Sequence, residues 1–198
     1  MIIKENLLLE YGAEFIEYKA KEIICSKDGT PGNYLQISKG IVELNNYHED
    51  GKEFTLNILY EGQSIGESLL FNGRGYPMYV IARTDCRLLK LPKERFLQLI
   101  KDNADAMDSL LKYISDRLFY KYLMLFNNSA TDPSVKIKYL IDYYKEASSK
   151  AGKYEYEVPL TRKQIANLTG LRVETVIRTV KKMESEHVLK MEGGKILY

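Results

Sequence analysis

Tryptophan is absent from the 198 residues, and histidine and cysteine occur only as His48, His187, Cys25 and Cys86. Four such scattered side chains do not supply the converging nitrogen and sulfur ligands of a transition-metal centre, so no metal site is expected. Two distant cysteines form neither a disulfide framework nor a paired metal site, and we read both as small buried apolar residues in a reducing compartment. Equally missing are GxSxG, HExxH, a phosphate loop ending in Gly-Lys-Ser/Thr, and GxGxxG after a strand; no catalytic residues are assigned and no enzyme is expected. No run approaches the roughly 20 apolar residues of a membrane span. The opening MIIKENLLLEYG puts acids and amides where a signal core would lie, so a cytoplasmic protein with no membrane partner is expected. Five prolines and thirteen glycines are ordinary usage, and 45% apolar residues is too many for a disordered polymer.

What is present is unevenly charged. The net charge of +2 hides a break at Asp132-Pro133: residues 1–132 carry 16 basic and 19 acidic side chains, residues 133–198 carry 13 and 8. A basic third suits a polyanion partner, and equally suits lysine-rich helices that merely solvate a small domain.

From Glu14 to Leu91, short runs rich in Tyr, Ile and Val recur about every ten residues, separated by Asp28-Gly29, Asp50-Gly51 and Asn72-Gly73. This pattern predicts an antiparallel β domain, a jelly roll or barrel-like sandwich, over residues 1–92. At Pro92 the apolar period changes from two to about 3.6, giving a short helix (PKERFLQLI) and a longer one over 103–127, a segment we place at 93–132. In the long helix Met107, Leu111, Ile114, Leu118 and Leu125 make a narrow stripe interrupted at Lys121. Such a stripe suits a seam between two parallel helices or a face packed on its own β domain; length and narrowness favour the seam, hence a homodimer.

Residues 133–198 begin with a helix from Val135 and a strand-like YEYEVPL, and then carry the most informative text, LTRKQIANLTGLRVETVIRTVKKMESEHVLKMEGGKILY. Thr161 with Gln164 reads as a capping box opening a short helix to about Leu168. Thr169-Gly170-Leu171 supplies a tight turn, and Arg172 to about Ser185 a second helix: a helix-turn-helix. Gly193-Gly194 between two strand-like runs adds a wing. On the second helix Arg178 lies four residues after Glu174, so a guanidinium that forks onto guanine and a carboxylate that accepts from a base amine share one face, with Val173 placed for a thymine methyl. A plain i, i+4 surface ion pair is the bland alternative. Thr161, Arg162 and Arg172 suit phosphate oxygens of double-stranded DNA. His187, between this helix and the wing, reads as a packing or capping residue.

The order β domain, long helix, winged helix-turn-helix resembles the Crp/Fnr family of bacterial transcription regulators. SIGESLLF with Gly66-Glu67, followed by VIARTDCRLLKLPKERFLQLI, is similar to the family's phosphate-cassette region and the strands after it. LTRKQIANLTGLRVETVIRTVKKMESEHVL is similar to its recognition element, and VETxxR at 173–178 resembles the Fnr-like branch. The resemblance implies an α+β chain: a cyclic-nucleotide-binding-like jelly roll, a long dimerisation helix and a DNA-binding winged helix-turn-helix. It also implies a homodimer on a near-palindromic site with half-sites about one helical turn apart, Arg178 on a guanine of a TGA-like core, and contact with RNA polymerase.

Departures concern the effector. Glu67 stands in the cassette, but Tyr76-Pro77 occupies the place of the expected Arg followed by a hydroxyl residue, so a cyclic phosphate loses its charge-assisted fork and an amide donor. Arg74 is the nearby substitute. Cyclic nucleotide is therefore disfavoured, no cofactor is assigned, and the effector pocket (Gly66, Glu67, Arg74, Tyr76) awaits an unknown small molecule or is a scaffold. An iron-sulfur cluster needs four cysteines; nothing specific points to haem. The alternative function is a small-molecule sensor or scaffold whose basic C-terminal domain docks a protein partner. An enzyme on a cupin-like barrel would need more than His48.

Overall fold

The computed structural model describes residues 1–146, 148, 150 and 152–198. The chain forms two units, Met1–Leu118 and Phe119–Tyr198. The first contains β1 (Glu14–Tyr18), β2 (Ile23–Cys25), β3 (Asn33–Lys39), β4 (Val42–Tyr47), β5 (Glu53–Leu59), β6 (Ser64–Ile65), β7 (Tyr79–Ala82) and β8 (Cys86–Pro92). They pair antiparallel in two four-stranded sheets, ordered β1-β8-β3-β6 and β2-β7-β4-β5, which is the expected jelly roll.

Strand alternation explains why the first sheet is buried on both faces. On one face Leu35, Ile37, Cys86 and Leu88 meet Val42, Leu44, Val80 and Ala82 inside the roll. On the other, Tyr34, Leu89 and Leu91 pack under helices α1 (Glu5–Glu10), α3 (Lys93–Asp102) and the opening of α4 (Ala104–Ser129). Tyr34 stacks on Phe96 of α3 with ring centroids 4.3 Å apart. A single helical turn, α2 (Leu69–Asn72), interrupts the strand-like text at SLLF. Helix α3 starts directly after Pro92, whose ring cannot donate to the strand pairing that ends there.

Helix α4 runs from Ala104 to Ser129, close to the expected 103–127. Its apolar side chains serve two faces rather than one. Met107 and Ile114 pack against the helix-side core of the first unit, whereas Leu111, Leu118 and Leu125 are exposed. Phe119, Tyr122 and Phe126 join the exposed set, while Tyr120 and Met124 are buried. The stripe read from sequence therefore merges two faces. Positions four and three apart drift around a helix of 3.6 residues per turn, and spacing alone does not say which neighbours they meet.

The second unit holds α5 (Pro133–Glu146), α6 (Arg162–Thr169), α7 (Val173–Ser185) and the wing strands β9 (Lys190–Glu192) and β10 (Lys195–Leu197). Asp132 caps α5 by accepting from the Ser134 amide at 2.8 Å, with Pro133 at the first helical position. The expected continuation of this helix toward Ala151 lies partly outside the described residues. The YEYEVPL segment lies alongside β10: the Val158 amide donates to Ile196 O, and Tyr156 and Tyr198 exchange backbone bonds. Ile137, Leu140, Ile141, Ile165, Leu168, Val176, Val180, Met183, Leu189 and Ile196 are among the buried residues of the second unit.

Candidate nucleic-acid interface and effector site

The local chemistry of the helix-turn-helix is what its sequence calls for. Thr161 at the N-cap of α6 accepts from the Gln164 amide at 3.2 Å, and the Gln164 side chain accepts from the Thr161 amide at 3.0 Å. This reciprocal box satisfies two amides that the first helical turn leaves unpaired. Gly170, at φ 69, ends α6 in the left-handed region, where a side chain is costly. His187 adopts the same conformation (φ 57) after α7. Its amide donates to Glu184 O and the Val188 amide to Met183 O, the paired bonds of a Schellman ending. Its carbonyl accepts from the Tyr154 hydroxyl at 2.7 Å. The capping reading of His187 thus describes its backbone.

Helix α7 buries Val176, Thr179, Val180 and Met183 and exposes Glu174, Ile177, Arg178, Lys181 and Lys182. Among the described residues Glu174 and Arg178 form no ion pair, although Lys182 pairs with Glu186 one turn later. The bland i, i+4 pair is not made, and both charged groups are free to meet a partner. Val173 is half-buried, and Arg172 is exposed at the N-cap. Thr161 is exposed, but its hydroxyl is already engaged with Gln164. Arg162 is turned to the wing: its guanidinium donates to Gly194 O at 2.6 Å and reaches Met191 Sδ at 3.1 Å. The Met191 amide in turn donates to Glu184 Oε1 of α7, so α6, α7 and the wing are held together by side chains.

In the first unit, Gly66, Glu67 and Tyr76 come together and Arg74 does not. Gly66 (φ 66) lies against the Tyr76 ring so closely that a Cβ would stand 2.6 Å from Cε1. Glu67 is 2% exposed. Its carboxylate accepts from Ser64 Oγ at 2.8 Å and from Arg117 Nη1 at 3.0 and 3.1 Å. Tyr113, one turn before Arg117 on α4, donates its hydroxyl to Ser64 O at 3.1 Å. Burial pushes the Tyr113 phenol up to about 12, despite the opposing pull of Arg117. The Tyr76 phenol is raised too, by burial and then by Cys25. Arg74 is exposed, with its amide bonded to Asn72 Oδ1. Tyr76, Cys25, Tyr18, Ile16, Leu35 and Lys90 line a half-open cavity of about 370 Å³. Arg117 escapes a sequence reading because it lies 50 residues from Glu67, on a helix whose periodicity reports only apolar faces.

Among the described residues the cluster presents no unpaired cation to a cyclic phosphate. Arg117 is committed to a buried carboxylate, Tyr76 fills the place of the expected cation, and Arg74 faces solvent. Diverting Arg117 to a ligand would leave Glu67 buried without its counter-ion, which costs several kcal/mol.

A β roll and a capped, winged helix-turn-helix on one chain define a DNA-binding regulator with a sensor-type domain. The comparisons agree with that class. The cyclic nucleotide-binding domain family matches residues 15–103 and the Crp-like helix-turn-helix domain family residues 137–198. The chain is 27% identical over 183 residues to the cAMP-activated global transcriptional regulator CRP of Salmonella typhimurium, covering 91% of this chain and 87% of that one. It is 22% identical over 181 residues to the cAMP-activated regulator Vfr of Pseudomonas aeruginosa, covering 89% and 85%. Its fold is similar to that of the c-di-GMP responsive regulator CLP of Xanthomonas campestris, with a TM-score of 0.78 at 20% identity over 98% of each chain. It is likewise similar to a CooA variant from Carboxydothermus hydrogenoformans, with a TM-score of 0.82 at 17% identity over 98% of this chain and 87% of that one. A cyclic nucleotide-binding domain followed by a Crp-like helix-turn-helix domain is the make-up of a Crp/Fnr-type transcription regulator. Among the described residues no helix is long and apolar enough to cross a membrane, and no group of His, Cys, Asp and Glu is placed to hold a metal ion.

Proposed function

We propose that this regulator binds a near-palindromic duplex site as a homodimer, with Arg178 and Glu174 of α7 reading bases. The observation that carries this reading is the free, exposed Glu174–Arg178 face on a recognition helix whose opposite face is buried. An exposed guanidinium without an acid partner is available to fork onto guanine O6 and N7. Arg172 then meets a phosphate. Arg162 serves by fixing the wing, and Thr161 by capping α6. RNA polymerase is the further partner proposed for the bound dimer.

For the roll we propose an effector other than a cyclic nucleotide, seated against Tyr76 in the cavity that opens beside it. CRP and Vfr are named as cAMP-activated. In this chain the Glu67–Arg117 pair supports a cassette that is satisfied internally, so DNA binding without added nucleotide is expected. An effector acts here by favouring one arrangement of paired α4 helices.

The test is selection of bound duplexes from a random pool by purified, nucleotide-free protein at fixed, near-physiological salt. A two-fold motif is expected. Arg178→Ala is expected to cost about 1–3 kcal/mol and to blur one base position in each half-site. Failure to enrich any motif, with and without cyclic nucleotides, would favour docking of the basic domain on a protein.

A further inference from the structure

We infer that Ile177 reads the 5-methyl group of a thymine in each half-site, an inference that rests on the DNA-binding reading of α7. Successive residues of a helix turn by about 100°, so Glu174, Arg178 and Lys181 share the face opposite the buried Val176, Thr179, Val180 and Met183. Ile177 projects from the flank of that charged row, next to Glu174 and Lys181. It is 43% exposed, while Val176 and Val180 on either side of it in sequence are buried in the core. Val173, one turn earlier on the same flank, is half-buried beside it. The two make an apolar strip parallel to the charged row.

An exposed β-branched residue contributes nothing to this helix in isolation. Isoleucine is a middling helix former, and its uncovered methyl groups stay in water. Its gain comes only when a partner covers it. The partner that covers the charged row is the major groove, where the one apolar group on a base edge is the thymine methyl. Isoleucine is stiff at χ1 in a helix, so its methyl groups are already held in place and little side-chain freedom is lost on contact. Glu174 and Arg178 therefore set the hydrogen-bonded bases, and Ile177 sets an adjacent thymine that hydrogen bonds alone do not specify.

The test uses the full chain and the selected duplex. At each thymine of the motif, deoxyuridine is substituted, which removes the methyl group and leaves every hydrogen-bonding atom in place. At one thymine per half-site the wild-type protein is expected to lose about fourfold in affinity, the worth of one buried methyl group. The fourfold loss applies to deoxyuridine in one half-site and becomes about sixteenfold with deoxyuridine in both. Ile177→Ala, which changes both halves of the dimer, is expected to be indifferent to either change and to bind the unmodified site as weakly as wild type binds the doubly substituted one. The DNA arm needs no protein variant, so a folding defect in Ile177→Ala cannot mask the result. A motif without thymine, or one where methyl removal costs wild type and variant equally, would overturn the role of Ile177 while leaving DNA reading by α7 intact. Enrichment of no motif would overturn both.

Discussion

The residue that most shapes the β roll is Arg117. Its guanidinium is 3.0 Å from Glu67, and both side chains are largely withdrawn from water. A buried pair is costly to break on one side, because the remaining charge is stranded. Arg117→Met is therefore expected to lower stability by about 3–5 kcal/mol in denaturant unfolding, and Glu67→Gln added to it to recover much of that loss. If the double variant were as unstable as Arg117→Met, the pair would not be the source of the effect. Tyr113 gives a pH signature. Its phenol ionises at about 12 in the fold against 10.0 for an unperturbed tyrosine, so between those values the unfolded chain has lost a proton that the folded chain retains. The raised value contributes stability below pH 10 that is lost as pH climbs toward 12. Unfolding free energies measured across that window should fall less steeply in Tyr113→Phe than in wild type.

At the scale of elements, α4 carries the dimer proposal, and its exposed face differs in direction from the stripe seen in the sequence. Leu118 and Leu125 are 47% and 74% exposed, one heptad apart. Phe119, Tyr122 and Phe126 stand on the same side, and so large an exposed apolar surface on a helix supports that proposal. Glutamate at 118 and 125 together is expected to shift the protein toward monomer in sedimentation equilibrium, whereas Ile114→Glu is expected to unfold the first unit, where that side chain packs. The periodicity of α4 was legible; which stripe faced the roll was not, because that depends on Leu89, Leu91 and Phe96, residues of other elements. The helix-turn-helix was legible almost completely, because its capping box and left-handed Gly170 are contacts within a few residues. Arg162 is the exception. Its wing partners Met191 and Gly194 lie about thirty positions away, and a basic residue at a helix start reads as a phosphate ligand until that turn is placed.

For the whole molecule, the division of charge sets the expected behaviour on DNA. The basic residues of the second unit include Arg172, Arg178 and Lys181, all exposed, against a first unit richer in acids. Binding through phosphates releases counterions, so affinity for the selected site should fall steeply with salt. A dimer making six or more phosphate contacts loses about a thousandfold between 50 and 200 mM salt. A shallow slope in a titration over that range would argue against a duplex gripped by two such domains.

Features under short-range control were readable from the chain alone: a β roll from period two and turn pairs, helices from period 3.6, and a capped helix-turn-helix with its exposed acid and guanidinium. What each charged or apolar side chain meets came from the packed fold. It placed Arg117 on Glu67, turned Arg162 to the wing, left Arg74 in solvent, and exposed Leu118 while Ile114 packed inward. The physical reason is the same in each case. Backbone conformation is set mainly by near neighbours, whereas burial and charge pairing are set by residues that chain folding brings from dozens of positions away.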